Sequence, residues 1–399
     1  MSLTKHRKLR DLIKPVTTWN PQRSQDGRFD YIDLSAVDQD RKVITGARST
    51  PTGEAPSRAR QLVRAGDVLV STVRPNLNGV AVVPQKLDGA TASTGFCVLR
   101  PGAELNGRFL FHWVRSPNFV NDMVRKATGA SYPAVSDRII HDSSLPLPPI
   151  HEQRRIAEVL DRADELRAMR REAITRLDDL SQSIFLDMFG DPVGNPRGWA
   201  KSTLAALARE NPSNGLFRKS AEYSTDDSGG LPVAWVENLF RGNVVDLSGA
   251  RRIVPTGADV ERYGLAQGDL LFCRSSLNFD GIAYPNVYAG PDNQALFECH
   301  IIRIRLDSDL SLPAYVNQAL RIPAMRSIVK SKSKTSTMTT IDQKSLASTP
   351  IPVPPMELQR SFVDRLSVVD AVKAQQKAQI DDLAELFASL QHAAYRGEL

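Results

Sequence analysis

Cysteine is scarce: Cys97, Cys273 and Cys299 are the only three in 399 residues, and none stands in CxxC spacing. That excludes a disulfide framework and points to reduced thiols rather than a zinc site. No apolar run of about 18 residues is present to cross a membrane. The opening MSLTKHRKLRDLIKP is basic with no apolar stretch behind it, so a secretory leader is not expected and the expected address is cytoplasmic. The six histidines form no i, i+4 pair, and no metal centre is expected. Catalytic signatures are missing as well. A base-methylating site needs Asn/Asp-Pro-Pro-Tyr/Phe, whereas the Pro-Pro pairs here stand in LPPI and VPPM. GWAKST at Gly198 lacks the leading glycine of a phosphate loop, and IDQKS lacks an upstream strand aspartate. No catalytic residue is expected.

What is present is ordinary in bulk and unusual in arrangement. Hydrophobic residues make up 41% and charged residues 24%, the balance of a globular chain, and the length suggests two or three domains. The net charge is +6. Residues 1–149 carry 21 basic against 13 acidic side chains, 150–190 carry 7 against 9, 191–355 carry 18 against 16, and 356–399 carry 5 against 7. The basic excess therefore avoids two segments, and those two resemble one another.

LPLPPIHEQRRIAEVLDRADELRAM begins at Leu145 and IPVPPMELQRSFVDRLSVVDAVKAQ at Ile351, 206 residues later. In this register Pro148-Pro149 match Pro354-Pro355, and Gln153-Arg154 match Gln359-Arg360. Leu160, Asp164, Ala168, Ile174, Leu177, Leu180 and Ser183 match Leu366, Asp370, Ala374, Ile380, Leu383, Leu386 and Ser389. Apolar residues follow at steps mostly of three or four: Ile156, Leu160, Ala163, Leu166, Met169, Ile174, Leu177, Leu180, Ile184, Met188. This predicts a long amphipathic helix, entered through proline and stopped near Gly190-Asp191-Pro192. The second copy runs Phe362, Leu366, Val369, Ile380, Leu383, Leu386, Leu390, interrupted by Lys373 and Gln376. Each helix should reach about 60 Å for 40 residues. A striped helix must bury its stripe, and the evident partner is the other copy, antiparallel if the two halves share an approximate twofold axis. The alternative is two unrelated surface helices.

The segments ahead of each helix repeat more faintly. AGDVLVSTVRPNLNGVAVV (Ala65–Val83) matches QGDLLFCRSSLNFDGIAYP (Gln267–Pro285), apolar strands bounded by Gly, Asn and Asp turns. His112–Ile140 matches Gln318–Leu346 at the 206-residue offset, each reading as a short helix, a basic Ser/Thr/Gly-rich loop and a final apolar element. The loops ATGASYPAVSDR and KSKSKTSTMTTIDQK offer cations and hydroxyls suited to phosphate oxygens and base edges. On composition alone they are equally polar connectors.

Together these motifs resemble the specificity subunit of type I restriction-modification systems. The resemblance rests on LPLPPIHEQRRIAEVLD, the exit LSQSIFLDMFGDP with NPRGWAKSTL, STPIPVPPMELQRSFVDRL, the twin Gly-Asp strands and the terminal LFASLQHAAYRGEL, and covers nearly the whole chain. It implies an α+β fold: two mixed α/β target-recognition domains with β-rich cores, joined by two long antiparallel helices as a coiled-coil spacer, with an internal pseudo-twofold repeat of about 206 residues. The expected divisions are a first recognition domain at 1–149, a central long helix at 150–190, a second recognition domain at 191–355 and a C-terminal long helix at 356–399. Because the chain starts almost directly in the first domain, pairing of Leu3–Ile13 with Ala394–Leu399 is expected to complete the arrangement.

The resemblance further implies a chain without chemistry of its own that reads a bipartite, asymmetric site on double-stranded DNA. Two methyltransferase subunits dock on it, and motor-nuclease subunits join them. It implies no cofactor in this chain; S-adenosylmethionine, ATP and Mg belong to the partner subunits, and no membrane is involved. Candidate DNA contacts in the first domain are Arg58, Arg60, Arg74, Asn76, Lys126, Ser131, Tyr132 and Arg138. In the second they are Arg251, Arg252, Arg274, Ser275, Asn278, Lys332, Lys334, Thr337 and Lys344. Arg and Asn suit base edges and the lysines suit phosphates. Candidate partner-docking residues are Gln153, Arg154, Asp164, Gln359, Arg360 and Asp370, identical across the repeat, with helix capping as the competing explanation for the glutamines. A scaffold that binds partner proteins with little sequence-specific DNA binding is the alternative function.

Overall fold

The computed structural model describes residues 6–24, 27–129, 131–224, 229–240, 242–335 and 337–396. The chain divides into two compact units, residues 1–173 with 376–399 and residues 174–375. Helix and strand are mixed in both. The long helices are present as Ile150–Phe189 and Met356–Arg396, their first residues separated by the repeat distance. No helix among the described residues is long and apolar enough to cross a membrane.

In the first unit the strand Val68–Ser71 lies between Phe96–Pro101 and Val80–Val82, and Ile13–Lys14 pairs with the far edge of Phe96–Pro101. The apolar run is buried on both faces, which is why it is continuous rather than alternating. Val68 and Val70 enter one core with Leu9, Phe109 and Leu160, while Leu69 enters another with Ile32 and Phe96. The second unit repeats the device: Leu270 and Phe272 face one core, Leu271 and Cys273 the other. Buried Cys97 and Cys273 are thus strand residues. The Gly-Asp turns are alike too. Gly66 and Gly268 adopt φ of 87° and 90°, the left-handed region that glycine enters without cost. Asp67 then accepts from Arg100 Nε and Nη2 at 2.9 and 2.7 Å, and Asp269 from Arg305 at 2.8 and 2.9 Å.

Each unit is closed by its entry and exit strands: His6–Lys8 pairs with Ser144–Pro146, and Ala200–Thr203 with Pro350–Val353. The expected pairing of Leu3–Ile13 with Ala394–Leu399 falls partly outside the described residues. Of those described, Leu9, Leu12 and Ala394 share one core.

Within the first unit, Ile156, Ala157, Leu160 and Ala163 at the start of one long helix pack with Phe387 and Ala394 near the end of the other. Arg170 there donates to Gln376 Oε1 at 3.0 Å. Within the second unit, Phe185 and Phe189 pack edge-on against Phe362 at 5.6 and 5.5 Å, and Lys373 reaches Asp178 at 2.8 Å and Ser181 at 3.2 Å. The helix segments in each unit therefore run in opposite directions. Lys373 and Gln376, read as interruptions of the stripe, are pairing residues. Met169, Leu180 and Leu386, read as part of the stripe, are exposed. A pattern of mixed steps drifts around a 3.6-residue helix, so a long stripe faces its partner only part of the way.

The junction between domain and helix corrects two expectations. Gln153 and Gln359 are 1% and 0% exposed, so neither offers a docking surface. Gln153 Oε1 accepts from the Asn106 N–H at 2.8 Å, and its amide donates to the Glu104 and Pro148 carbonyls at 2.9 Å. Gln359 Oε1 accepts from the Leu312 N–H at 2.9 Å and from Ser311 Oγ at 3.0 Å, and its amide donates to the Pro354 carbonyl at 2.9 Å. One primary amide supplies both donor and acceptor, and so satisfies a loop and a helix start at once. Asp164 and Asp370 are also turned to their own domains, through Arg115 and Asn243. Of the six docking candidates, Arg154 and Arg360 remain exposed.

Candidate nucleic-acid interface

After Val68–Ser71 the first unit leaves its sheet at Val73 and makes a tight turn. Arg74 and Asn78 take φ of 49° and 47° around the single helical turn Pro75–Leu77. The Arg74 N–H donates to the Pro133 carbonyl at 2.7 Å, and Val73 and Thr128 both bridge to Ala134. The turn at residues 73–78 and the loop ATGASYPAVSDR are thereby sewn together by backbone. Tyr132 is 70% exposed, and the Arg74 guanidinium lies over its ring at 4.9 Å. Arg74, Asn76, Ser131 and Tyr132 therefore share one protruding edge.

The second unit uses the same stitching. Ser275–Ser276 pairs with Thr339–Thr340, which pairs with Lys334–Thr335. Ser275, Asn278, Lys334 and Thr337 are brought to one edge, where Leu277 is 84% exposed. Asn278 caps the following turn by accepting from the Asp280 N–H at 3.0 Å.

One correspondence is corrected by these bonds. Thr72 O accepts from the Val135 N–H at 2.9 Å, and Arg274 O from the Ile341 N–H at 3.0 Å; Arg274 thus stands where Thr72 stands, and Ser276 where Arg74 stands. Arg274 is half-buried, its Nη1 donating to the Cys299 carbonyl at 3.1 Å. The faint repeat runs at an offset of 202 in this stretch, which places Ser276 opposite Arg74.

The remaining candidates scatter. Arg58 is exposed and its carbonyl accepts from the Thr94 N–H at 2.9 Å, while Arg60 is half-buried and donates to the Ala59 carbonyl at 2.7 Å. Lys126 pairs with Asp122 at 2.6 Å on its own helix. Arg138 and Lys344 are exposed at equivalent places on short helices. Lys332 points inward: its ammonium donates to Ser348 Oγ at 2.9 Å and Thr349 Oγ1 at 3.3 Å, and burial lowers its pKa. Arg252 donates to the Gly230 carbonyl at 3.0 Å from within a sheet. Arg251 stacks on Trp235 at 4.3 Å, a partner the sequence reading passed over, since nothing local links a tryptophan to an arginine 16 positions on.

The Pro-Pro, IDQKS and GWAKST residues have structural places. Pro148 and Pro354 supply carbonyls to the buried glutamines. Asp342 of IDQKS caps the helix Gln343–Ala347 through the Ser345 N–H at 2.7 Å. Lys201 lies in the closing strand Ala200–Thr203.

The profile of the type I restriction modification DNA specificity domain matches residues 20–176 and 292–382. The EcoKI specificity subunit of Escherichia coli K12 is 26% identical over 326 residues, covering 76% of this chain and 68% of that protein. The StySPI specificity subunit of Salmonella potsdam is 22% identical over 332 residues, covering 79% and 70%. A solved structure described as the basis of complex assembly and conformational transition of the type I R-M system covers 99% of this chain and 98% of its own, at 27% identity and a TM-score of 0.56. The type I S subunit from M. genitalium aligns over 98% and 96% at 13% identity with a TM-score of 0.53, a likeness of fold.

Proposed function

The chain belongs to the type I restriction modification DNA specificity family, a sequence-specificity subunit with no chemistry of its own, and we propose that it reads a bipartite, asymmetric DNA site with one recognition edge per unit. The observation that carries this reading is the shared backbone stitching. Val73–Ala134–Thr128 and Ser275–Thr340–Lys334 bring a turn and a hydroxyl-rich loop together in both units, while the side chains they display differ. Equivalent frames with different side chains read different half-sites, which makes the target non-palindromic.

In this reading the recognition domains are residues 1–149 and 191–355, and the helices 150–190 and 356–399 form an antiparallel coiled-coil spacer about a pseudo-twofold axis. Helices of 40 and 41 residues reach about 60 Å, enough to hold two domains about one or more DNA turns of 34–36 Å apart. Two methyltransferase subunits dock at the exposed helix starts marked by Arg154 and Arg360, motor-nuclease subunits join them, and S-adenosylmethionine, ATP and Mg are held by those partners.

The test is sequencing of methylated DNA from cells carrying the chain with its methyltransferase, together with purified-complex binding at several salt concentrations. Replacing both Arg74 and Tyr132 with alanine should relax discrimination in one half-site only, by ~1–3 kcal/mol per lost base contact. Lys334→Ala should weaken binding to all sequences and flatten the salt dependence by about one phosphate. Unchanged half-site preference in the double variant would remove Arg74 and Tyr132 from the reading surface.

A further inference from the structure

A cluster unrelated to the repeat stands in the turn between the strands Leu296–Phe297 and Ile301–Ile304. The Glu298 carboxylate, Cys299 Sγ and a His300 ring nitrogen each offer a ligand atom, all within 4.8 Å of one another. Glu298 Oε2 lies 2.9 Å from His300 Nδ1, and Cys299 Sγ lies 3.6 Å from the same nitrogen. Ligands of one tetrahedral zinc ion stand roughly 3.3–3.8 Å apart, given bonds of about 2.0–2.3 Å, so the sulfur–nitrogen spacing fits. Glu298 Oε2 and His300 Nδ1, in hydrogen-bond contact without the ion, would part by roughly half an ångström to hold it. The turn makes this convergence possible although consecutive residues on a strand would diverge: the His300 N–H folds back onto Glu298 Oε2 at 2.8 Å.

A second observation is independent of that clustering. Glu298 is 2% exposed, and its other oxygen, Oε1, is buried without a well-aligned hydrogen bond among the described residues, with the Cys299 thiol, whose pKa it raises, as a weak donor beside the carboxylate. A carboxylate oxygen removed from water and left without a strong donor is costly, and a bound cation removes that cost. The nearby arginine does not: Arg274 Nη1 donates to the Cys299 carbonyl.

We propose that Glu298, Cys299 and His300 form a binding site for one borderline divalent metal ion of the Zn2+ class. Carboxylate, thiolate and imidazole suit that class rather than Mg2+ or Ca2+, and the exposed side of His300 leaves the fourth position to water. Among the described residues the first unit has no such cluster. Gly95 O accepts the Thr72 N–H as His300 O accepts that of Arg274, so Ser93-Thr94-Gly95 occupy the equivalent turn, and the stoichiometry is one ion per chain. The ion would stiffen the turn to which Arg274 is bonded. The proposal stands whether or not that edge reads DNA.

The experiment is titration of the metal-free, tag-free full chain with Co2+, followed by Zn2+. One equivalent of Co2+ should bind with thiolate-to-cobalt charge-transfer absorption and be displaced by Zn2+. Cys299→Ser should abolish that absorption while Cys97→Ser and Cys273→Ser keep it, and His300→Ala should weaken Co2+ binding by roughly tenfold or more. Circular dichroism of each variant without metal, matching the parent, establishes that the fold is retained. Absence of the charge-transfer band in the parent chain, or its survival in Cys299→Ser, would overturn the proposal.

Discussion

Arg115 closes on Asp164 of the first long helix through both guanidinium nitrogens, Nη2 donating at 3.1 Å. At the same positions of the second repeat, Asn243 separates the two charges. Arg321 Nη1 donates to Asn243 Oδ1 at 3.0 Å, and Asn243 Nδ2 donates to Asp370. Arg321 gives its remaining bonds to the Gly242 and Pro285 carbonyls, and burial lowers its pKa. One pair of identical residues thus anchors a domain to a helix directly in one unit and through an amide in the other.

The two anchors should differ in strength. Asp164→Ala leaves Arg115 half-buried without its counter-charge and should cost about 2 kcal/mol, whereas Asp370→Ala breaks bonds to Asn243 and Lys373 and should cost about 1 kcal/mol. Chemical denaturation gives the magnitudes. Hydrogen exchange should localise the first loss to Gly107–Trp113 and the second to Pro313–Arg321; equal losses in the two variants would refute the asymmetry.

Burial separates the repeated glutamines from the repeated arginines beside them. Gln153→Ala or Gln359→Ala should destabilise the chain by about 1–3 kcal/mol each, since loop N–H groups are left buried and unpaired. Charge reversal of Arg154 and Arg360 should change stability by less than about 0.5 kcal/mol but lower recovery of the methyltransferase in pull-down. Normal recovery of two partner copies would place the docking surface elsewhere.

Acid should loosen the first unit before the second. Burial lowers the pKa of His112 despite its 2.7 Å contact with Asp161. Burial pushes Asp161 up, but hydrogen bonds from His112 and Arg108 outweigh it and hold that carboxyl at about 2. The unfolded chain takes up protons at about 6.5 for histidine and about 3.9 for aspartate, above both folded values. Each group therefore contributes stability that is complete above its unfolded pKa and lost as pH falls toward the folded one. Stability of the parent chain should decline as pH drops below about 6.5, and His112→Gln should flatten that part of the profile. An identical pH profile in the variant would dissociate the effect from His112.

Helix length should set the spacing of the half-sites. The compact units meet in sequence at residues 173/174 and 375/376, within both long helices. Four residues added to each helix there advance it by about 6 Å in slightly more than one turn, so methylation should keep both half-site sequences and widen only the unread gap by one or two base pairs of about 3.4 Å. Two residues added instead turn the apolar stripe by about 200° and should destabilise the subunit. An unchanged gap in the methylome of the four-residue strain would show that the helices do not set it.

The sequence by itself determined the features that depend on local pattern. The 206-residue register pointed to two long helices, because a proline pair followed by apolar residues at steps of three and four favours a helix start, and both are present. The Gly-Asp turns located an apolar strand in each half, because a turn residue ahead of an unbroken apolar run favours a strand; that both faces of each strand are buried came from the fold. Tertiary structure alone decided which polar residues face outward. Gln153 and Arg154 are neighbours repeated with equal fidelity, yet one is sealed against residues 104–106 and the other is exposed. Lys332 turns inward to hydroxyls 16 and 17 positions away, and Arg274 takes the place of Thr72 rather than Arg74. A charge or an amide declares what it can bond to, but its partner comes from a distant part of the chain, and burial follows only when folding brings that partner within reach.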